Sequence, residues 1–362
     1  MSPLIKTSLT LALFTPNDDV RPVFLTGSFN DWATRDERFK MQKVKDGHYE
    51  YTFSAAPTTF ETFEYKYAKG GWEAEELAAD GCPRSNRRME SLQGKVNDVV
   101  HQWKHLSAKH DPQYYPDIQI VSHQFNVPQL QRKRRISVLL PWDYHAPDKR
   151  YPVLYLQDGQ NLFDNNAPFG TWGVDMQLTK LAQAGKGGFI VVAIDHGGRD
   201  RIQEFSPYNT QQWGEGLGMD YAQFLAQTLK PHIDDHFRTM ADRAHTGIGG
   251  SSMGGLISIY AGLLFPEVYS KFMIFSPSLW AAPNVYFEPV RFSPFQETKI
   301  YLYAGEKEGS GVLDNVHRFK KAMENRGYDP TKMKIEVSTD PHGKHTESRW
   351  GNEFPKAATW LF

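Results

Sequence analysis

Cysteine is almost absent from this sequence. Cys82 alone stands among 362 residues, which excludes an intramolecular disulfide and a zinc site built from several thiolates. Neither sign of charge is in surplus, with 41 Lys+Arg against 42 Asp+Glu. Without a basic excess, the composition does not point to nucleic acid or an anionic membrane as a partner. Long apolar runs are also missing, and no stretch approaches the roughly 20 residues of a membrane-spanning helix. The opening 1-MSPLIKTSLTLALFTP-16 alternates Leu9, Leu11 and Leu13 with Thr10 and Ala12 and then turns acidic. It therefore reads as a first β-strand rather than a secretion signal. A cytoplasmic protein is the expectation, and the lone cysteine suits a reducing compartment. The short basic run 131-QRKRR-135 reads as a solvated strand edge.

What is present is apolar and aromatic: 40% hydrophobic and 14% aromatic residues are enough for sizeable cores, and the length favours two domains. The two halves have different rhythms. Up to Trp103 the pattern has period two, as in 23-VFLTG-27, 48-HYEYTF-53 and 63-FEYKY-67, with turn residues between. That predicts a small β-sandwich over 1–103. Residues 104–117 read as a polar linker. From 118 to 362 unbroken apolar runs, 152-PVLYL-156, 188-GFIVVAI-194 and 272-FMIFS-276, alternate with helical stretches such as 219–233 and 311–325. Continuous apolar strands between helices predict a sheet covered on both faces, hence α/β architecture.

The chemistry centres on 247-GIGGSSMGGL-256. Two serines adjoin, but G-x-S-x-G fits only the register Gly250-Ser251-Ser252-Met253-Gly254, so Ser252 is the candidate nucleophile. A short run ending in glycines precedes it and a helical pattern follows. This is the strand–turn–helix setting of a nucleophile elbow, where the hydroxyl meets helix amides able to hold an oxyanion. A serine needs a base, and the base needs an orienting acid. Three histidines follow Ser252. His317 lies inside a helical stretch, whereas His342 and His345 share the loop 340-DPHGKHTESRW-350 after a strand. Glu306, Glu308 and Asp314 are the acids at or beyond the strand 299–304. The loop 157-QDGQNLF-163 can supply a second oxyanion amide, making the backbones of Gln160 and Met253 the expected donors.

From about position 118 onward the chain resembles the esterase D-like family. The resemblance rests on 151-YPVLYLQDGQNLF-163, 201-RIQEFSPYN-209, 228-TLKPHIDDHFRT-239, 247-GIGGSSMGGLISIYAGLLFPEVYSKFMIFSPSLW-280 and 341-PHGKHTESRW-350. It implies an α/β-hydrolase fold and ester hydrolysis, as in feruloyl, acetyl-xylan and siderophore esterases. It further implies Ser252 as nucleophile, His345 as base between Gly343 and Trp350, and Glu308 as acid in a G-x-x-[D/E] loop. Trp280 and Trp172 are then expected to line the substrate cleft. No metal or organic cofactor is called for.

The N-terminal domain resembles starch- and glycogen-binding carbohydrate-binding modules through 25-LTGSFNDW-32, 63-FEYKYAKGGWE-73 and 86-NR-87. That resemblance implies a sugar site on Lys66, Trp72 and Asn86, and hence α-glucan binding. Here a 12-residue insertion, 74–85, separates Trp72 from Asn86, and His48 replaces an expected aromatic. The sequence therefore leads to a serine carboxylesterase acting on acetyl or feruloyl esters of carbohydrates or similar small esters. The alternatives are a siderophore esterase, or a carbohydrate-binding protein whose hydrolase fold is incidental.

Overall fold

Alternating leucines make the first strand. In the computed structural model, β1 (Leu9–Phe14) buries Leu9, Leu11 and Leu13 and leaves Thr10 and Ala12 half-exposed. The structure describes residues 9–16, 18, 21–53, 62–79, 84–89, 93–104, 112–163, 167, 169–211, 213–285, 297–309, 311–325 and 331–362. Cys82 lies outside them. The chain divides into two compact units, Met1–Lys109 and His110–Phe362. Half of the segment expected as a linker, 105–111, lies outside the described residues, and its last residue, Asp117, already opens a strand.

The first unit is all β. Its strands are β2 (Phe24–Gly27), β3 (Gln42–Lys45), β4 (His48–Phe53), β5 (Phe63–Ala68), β6 (Glu76–Leu77), β7 (Arg87–Met89), β8 (Gly94–Val99) and β9 (Gln102–Trp103). They form sheets in the orders β3-β4-β1-β8 and β2-β5-β7, with β6 paired to β9. Inward residues of both larger sheets, among them Leu11, Tyr49, Phe63 and Tyr67, make one core. This is the sandwich that the period-two pattern implied.

The second unit is an eight-stranded sheet. Its strands are β10 (Asp117–Val127), β11 (Arg132–Leu140), β12 (Val153–Gln157), β13 (Ile190–Ile194), β14 (Thr246–Ser251), β15 (Lys271–Phe275), β16 (Thr298–Gly305) and β17 (Met333–Asp340). They lie in the order β10-β11-β13-β12-β14-β15-β16-β17. From β13 to β17 all neighbours are parallel, while β10–β11 and β11–β13 are antiparallel. Strands β12 and β13 are buried at every residue because helices cover both faces. On one face α1 (Val174–Gln183) and α7 (Glu347–Leu361) pack through Leu178, Trp350 and Phe354. On the other lie α3 (Gly218–Gln223) with its continuation α4 (Lys230–His236), α5 (Ser252–Leu264) and α6 (Val312–Glu324), through Phe224, Leu256, Ile257 and Phe319. A single turn, α2 (Arg201–Glu204), follows β13.

One expectation is corrected here. The basic run 131–135 is not simply a solvated edge. Arg134 sits in the interior, donating from Nη1 and Nη2 to the carboxylate of Glu204 at 3.0 and 3.1 Å, with that acid's side chain 0% exposed. Arg135 pairs with Asp195 at 2.9 Å. Pairing offsets part of the cost of burying such charges, which a linear charge count does not register.

Candidate active site

Parallel strands deliver the candidate residues to one edge. Ser252 follows the last residue of β14, Glu308 lies three residues beyond β16, and His345 lies five beyond β17. All three therefore occupy the carboxyl edge of the sheet, where ligands bind in open α/β folds.

The elbow is built by strain and close approach. Ser252 has φ +55°, a left-handed conformation that costs a non-glycine residue about 1–3 kcal/mol. It is held between an extended Ser251 and the first turn of α5. A Cβ on Gly254 would lie 2.8 Å from Asp158 Oδ2, and one on Gly250 would lie 2.8 Å from the Gly254 backbone. Gly250 is required by space because it meets backbone, whereas a side chain at Gly254 would displace the Asp158 carboxylate. The first amides of α5, Met253 among them, have no intrahelical acceptor.

A second close approach joins the acid and base loops. A Cβ on Gly305 would come within 2.4 Å of Gly343, and one on Gly343 would lie 2.6 Å from Gly305 Cα. Across this contact Glu306 N donates to Asp340 O and Lys307 N to Gly343 O, each at 2.9 Å. The β16–β17 ladder thus continues into the loops and sets Glu308 Oε2 2.9 Å from His345 Nδ1. Glu308 is 0% exposed at its side chain. Its other oxygen accepts from Gly305 N and from Ser276 Oγ, both at 2.7 Å. Ser276 Oγ in turn accepts from Trp350 Nε1 at 2.9 Å, and the Trp350 ring meets His345 edge to face. Of the alternatives, His342, His317, Glu306 and Asp314 are all exposed.

Ser252 Oγ lies 3.2 Å from Ser278 Oγ. A Ser252–His345 hydrogen bond is not among those of the described residues, so the structure joins His345 to Glu308 but not Ser252 to His345. Gln160 sits in a tight turn after β12, its side chain tied to the His196 backbone through Oε1 at 3.0 Å and Nε2 at 3.4 Å.

Sequence reasoning missed several neighbours. Asp158, at φ +58°, receives a two-pronged hydrogen bond from Arg201 at 2.6 and 2.8 Å. Glu347 accepts from Asn161 Nδ2 at 3.4 Å. Burial, and then the nearby Asp158, raises the Glu347 carboxyl above its ordinary pKa, while His345 and Arg201 pull it back. Burial likewise lowers the pKa of His196. Glu347, two residues from His345, was within reach of inspection. No linear signal pairs Asp158 with Arg201, or Ser276 with Glu308. Among the described residues no group of three or more His, Cys, Asp or Glu is placed to hold a metal ion.

The aromatics divide. Trp280, 58% exposed, meets Trp213 with ring centroids 5.7 Å apart, two residues from Ser278. Trp172 does not line a cleft: it is 4% exposed and stacked on Phe275, so it belongs to the core. In the first unit Trp72 lies 6.1 Å from Trp32. Lys66 is buried and donates to Glu75 at 2.8 Å, and Asn86 donates to Glu64 at 2.9 Å.

A family model described as "Putative esterase" matches residues 128–361. The chain is 21% identical over 245 residues to the uncharacterized protein YbbA of Bacillus subtilis (strain 168), covering 63% of this chain and 92% of that protein. It is 26% identical over 192 residues to an endo-1,4-beta-xylanase/feruloyl esterase of Xylanibacter ruminicola, covering 51% of this chain and 24% of that protein. The crystal structure of the enterobactin esterase FES from Shigella flexneri is similar with a TM-score of 0.56 at 16% identity, over 97% of this chain and 92% of that one. At such identity the likeness speaks for the fold, an α/β-hydrolase sheet preceded by an all-β region.

Proposed function

The chain belongs to the "Putative esterase" family, and from that premise we propose a serine carboxylic-ester hydrolase with Ser252 as nucleophile, His345 as base and Glu308 as orienting acid. The observation that carries this reading is the left-handed Ser252 at the junction of β14 and α5. Strain of this kind persists only where surrounding structure enforces it, and here it aims a hydroxyl at the carboxyl edge.

In the first half-reaction Ser252 Oγ leaves Ser278 and attacks the ester carbonyl, passing its proton to His345 Nε2. Hydrogen bonds of this kind commonly tighten only once substrate is bound. Glu308 accepts from His345 Nδ1–H, which fixes the tautomer and stabilises the imidazolium. The amides of Met253 and Gln160 receive the oxyanion. His345 then returns the proton to the leaving alcohol. Water, activated by the same imidazole, releases the acyl group in the second half-reaction.

For substrate, we read aromatic esters of carbohydrates or similar small esters, feruloyl above acetyl. The exposed Trp280 with Trp213 offers an aromatic wall beside the serine. A catecholate siderophore ester is the second reading, supported by the likeness to the enterobactin esterase over both units. For the first unit, the Trp32–Trp72 pair supports glucan stacking, whereas the burial of Lys66 against Glu75 takes that lysine away from a ligand. Retardation in amylose or glycogen gels, abolished by Trp72→Ala, checks this part. One cysteine in 362 residues supports a cytoplasmic setting.

The deciding experiment compares kcat/KM of wild type and Ser252→Ala on p-nitrophenyl acetate, methyl ferulate and a trilactone siderophore. The serine variant should keep its Tm and lose at least about 10⁴-fold in turnover. Serine-independent hydrolysis would sink the reading. The preferred ester identifies the acyl class.

A further inference from the structure

The opposite edge of the same sheet carries a cationic cavity that ester hydrolysis does not use. Strands β14 to β17 run parallel, so their amino ends lie together. A strand of six residues spans about 20 Å, which separates this edge from Ser252. The cavity there is about 150 Å³ and, among the described residues, is lined by Arg243, Lys271, Lys299, Lys332 and Lys334 against the acid Glu297. These described side chains carry five formal positive charges and one negative. Drug-sized sites occupy roughly 300–1,000 Å³, so this volume suits one compact group.

The three innermost cations are held by neutral oxygens. Lys271 Nζ donates to Ala244 O at 2.6 Å, and Lys299 Nζ to Trp360 O at 2.9 Å and Leu361 O at 3.3 Å. Arg243 donates to Pro266 O, Glu297 O and Thr298 Oγ1. These bonds fix the side chains without cancelling their charge. Burial first, and then repulsion from Lys299 and Arg243, holds Lys271 below the ordinary lysine pKa. Burial and Lys334 do the same to Lys299. The acids acting on Lys271 are Asp242, itself paired with His245, and Glu297.

An independent observation comes from Ser270. It lines the cavity and is only 3% exposed, yet among the described residues its hydroxyl has no hydrogen-bond partner. Its backbone is fully engaged, N with Thr246 O and O with Lys299 N. A buried hydroxyl without a partner costs about 1–3 kcal/mol unless something supplies one.

We propose that this cavity binds a phosphate-type dianion, either inorganic phosphate or the head of a phosphomonoester. The lysines and Arg243 supply opposite charge, and Ser270 Oγ, buried in the cavity wall, donates the remaining hydrogen bond once the ligand opens the wall to it. Such a ligand would tie together the segment just before β14 and the amino ends of β15, β16 and β17.

Isothermal titration of the full chain tests this, using inorganic phosphate and glycerol 2-phosphate against chloride at matched ionic strength. Saturable one-to-one binding is expected. Lys271→Gln should weaken binding at least about tenfold and Ser270→Ala severalfold. If Lys271→Gln folds poorly, Ser270→Ala alone carries the comparison. Binding of both anions identifies a monoester site, and binding of inorganic phosphate alone identifies a free-ion site. No saturable heat up to about 20 mM, or affinity unchanged in Ser270→Ala and Lys271→Gln, overturns the proposal. Because the readout is binding, it is independent of Ser252.

Discussion

Glu308 and His345 are 37 residues apart in the chain, yet Oε2 of the acid lies 2.9 Å from Nδ1 of the imidazole. Two glycines, Gly305 and Gly343, touch backbone to backbone and bring the loops together. Ser276 and Gly305 N saturate the other carboxylate oxygen, so only one face of Glu308 is open to the ring. The acid can orient His345 in one way only.

Glu308→Gln tests that orientation. An amide presents an N–H₂ as readily as an oxygen, and Gly305 N and Ser276 Oγ already claim an acceptor. The amide nitrogen would then face Nδ1 and select the wrong tautomer. We expect kcat to fall about 10³–10⁴-fold with KM little changed. Turnover within tenfold of wild type would remove Glu308 from the triad.

Ser276→Ala removes one donor from Glu308 and leaves Trp350 Nε1 without its acceptor. The stability loss should be about 1–3 kcal/mol in urea unfolding, because the indole N–H stays buried. kcat should drop roughly tenfold, far less than for Glu308→Gln, and KM should hold.

Gly343→Ala asks whether the loop contact matters. Its Cβ would fall 2.6 Å from Gly305 Cα and 2.6 Å from Tyr303 Oη. Backbone cannot yield cheaply, so we expect about 1–3 kcal/mol of destabilisation together with a fall in kcat as His345 parts from Glu308. Unchanged thermal melting and unchanged turnover would show the loops to be compliant.

Glu347→Gln reports through pH. The fold raises this carboxyl above its ordinary value of 4.5, with burial the leading cause. The protonated form is therefore favoured in the folded state. Its stabilising contribution is present below 4.5 and is lost as pH rises through the raised value. At neutral pH the ionised carboxylate is a net cost, so Glu347→Gln should melt higher than wild type at pH 7 and about equally at pH 4. A Tm difference that does not grow with pH would contradict the assignment.

Much of this was legible in the residues. The change from period two to continuous apolar runs separated an all-β region from a helix-covered sheet, because side-chain alternation records how many faces are buried. The register of Gly250-Ser251-Ser252-Met253-Gly254 singled out Ser252, since only small residues fit where a helix leaves a strand so sharply. Tertiary structure decided what depends on contact at long range. It buried the Glu308 carboxylate beside His345 while leaving Glu306 and Asp314 exposed, buried Trp172, and hid Arg134 and Lys66 in ion pairs with Glu204 and Glu75. It also drew Asp158 to Arg201 and gathered lysines from several strands into one cavity. Local sequence sets period, turn and strain, but whether a charge or an indole faces water depends on partners that only the folded sheet brings alongside.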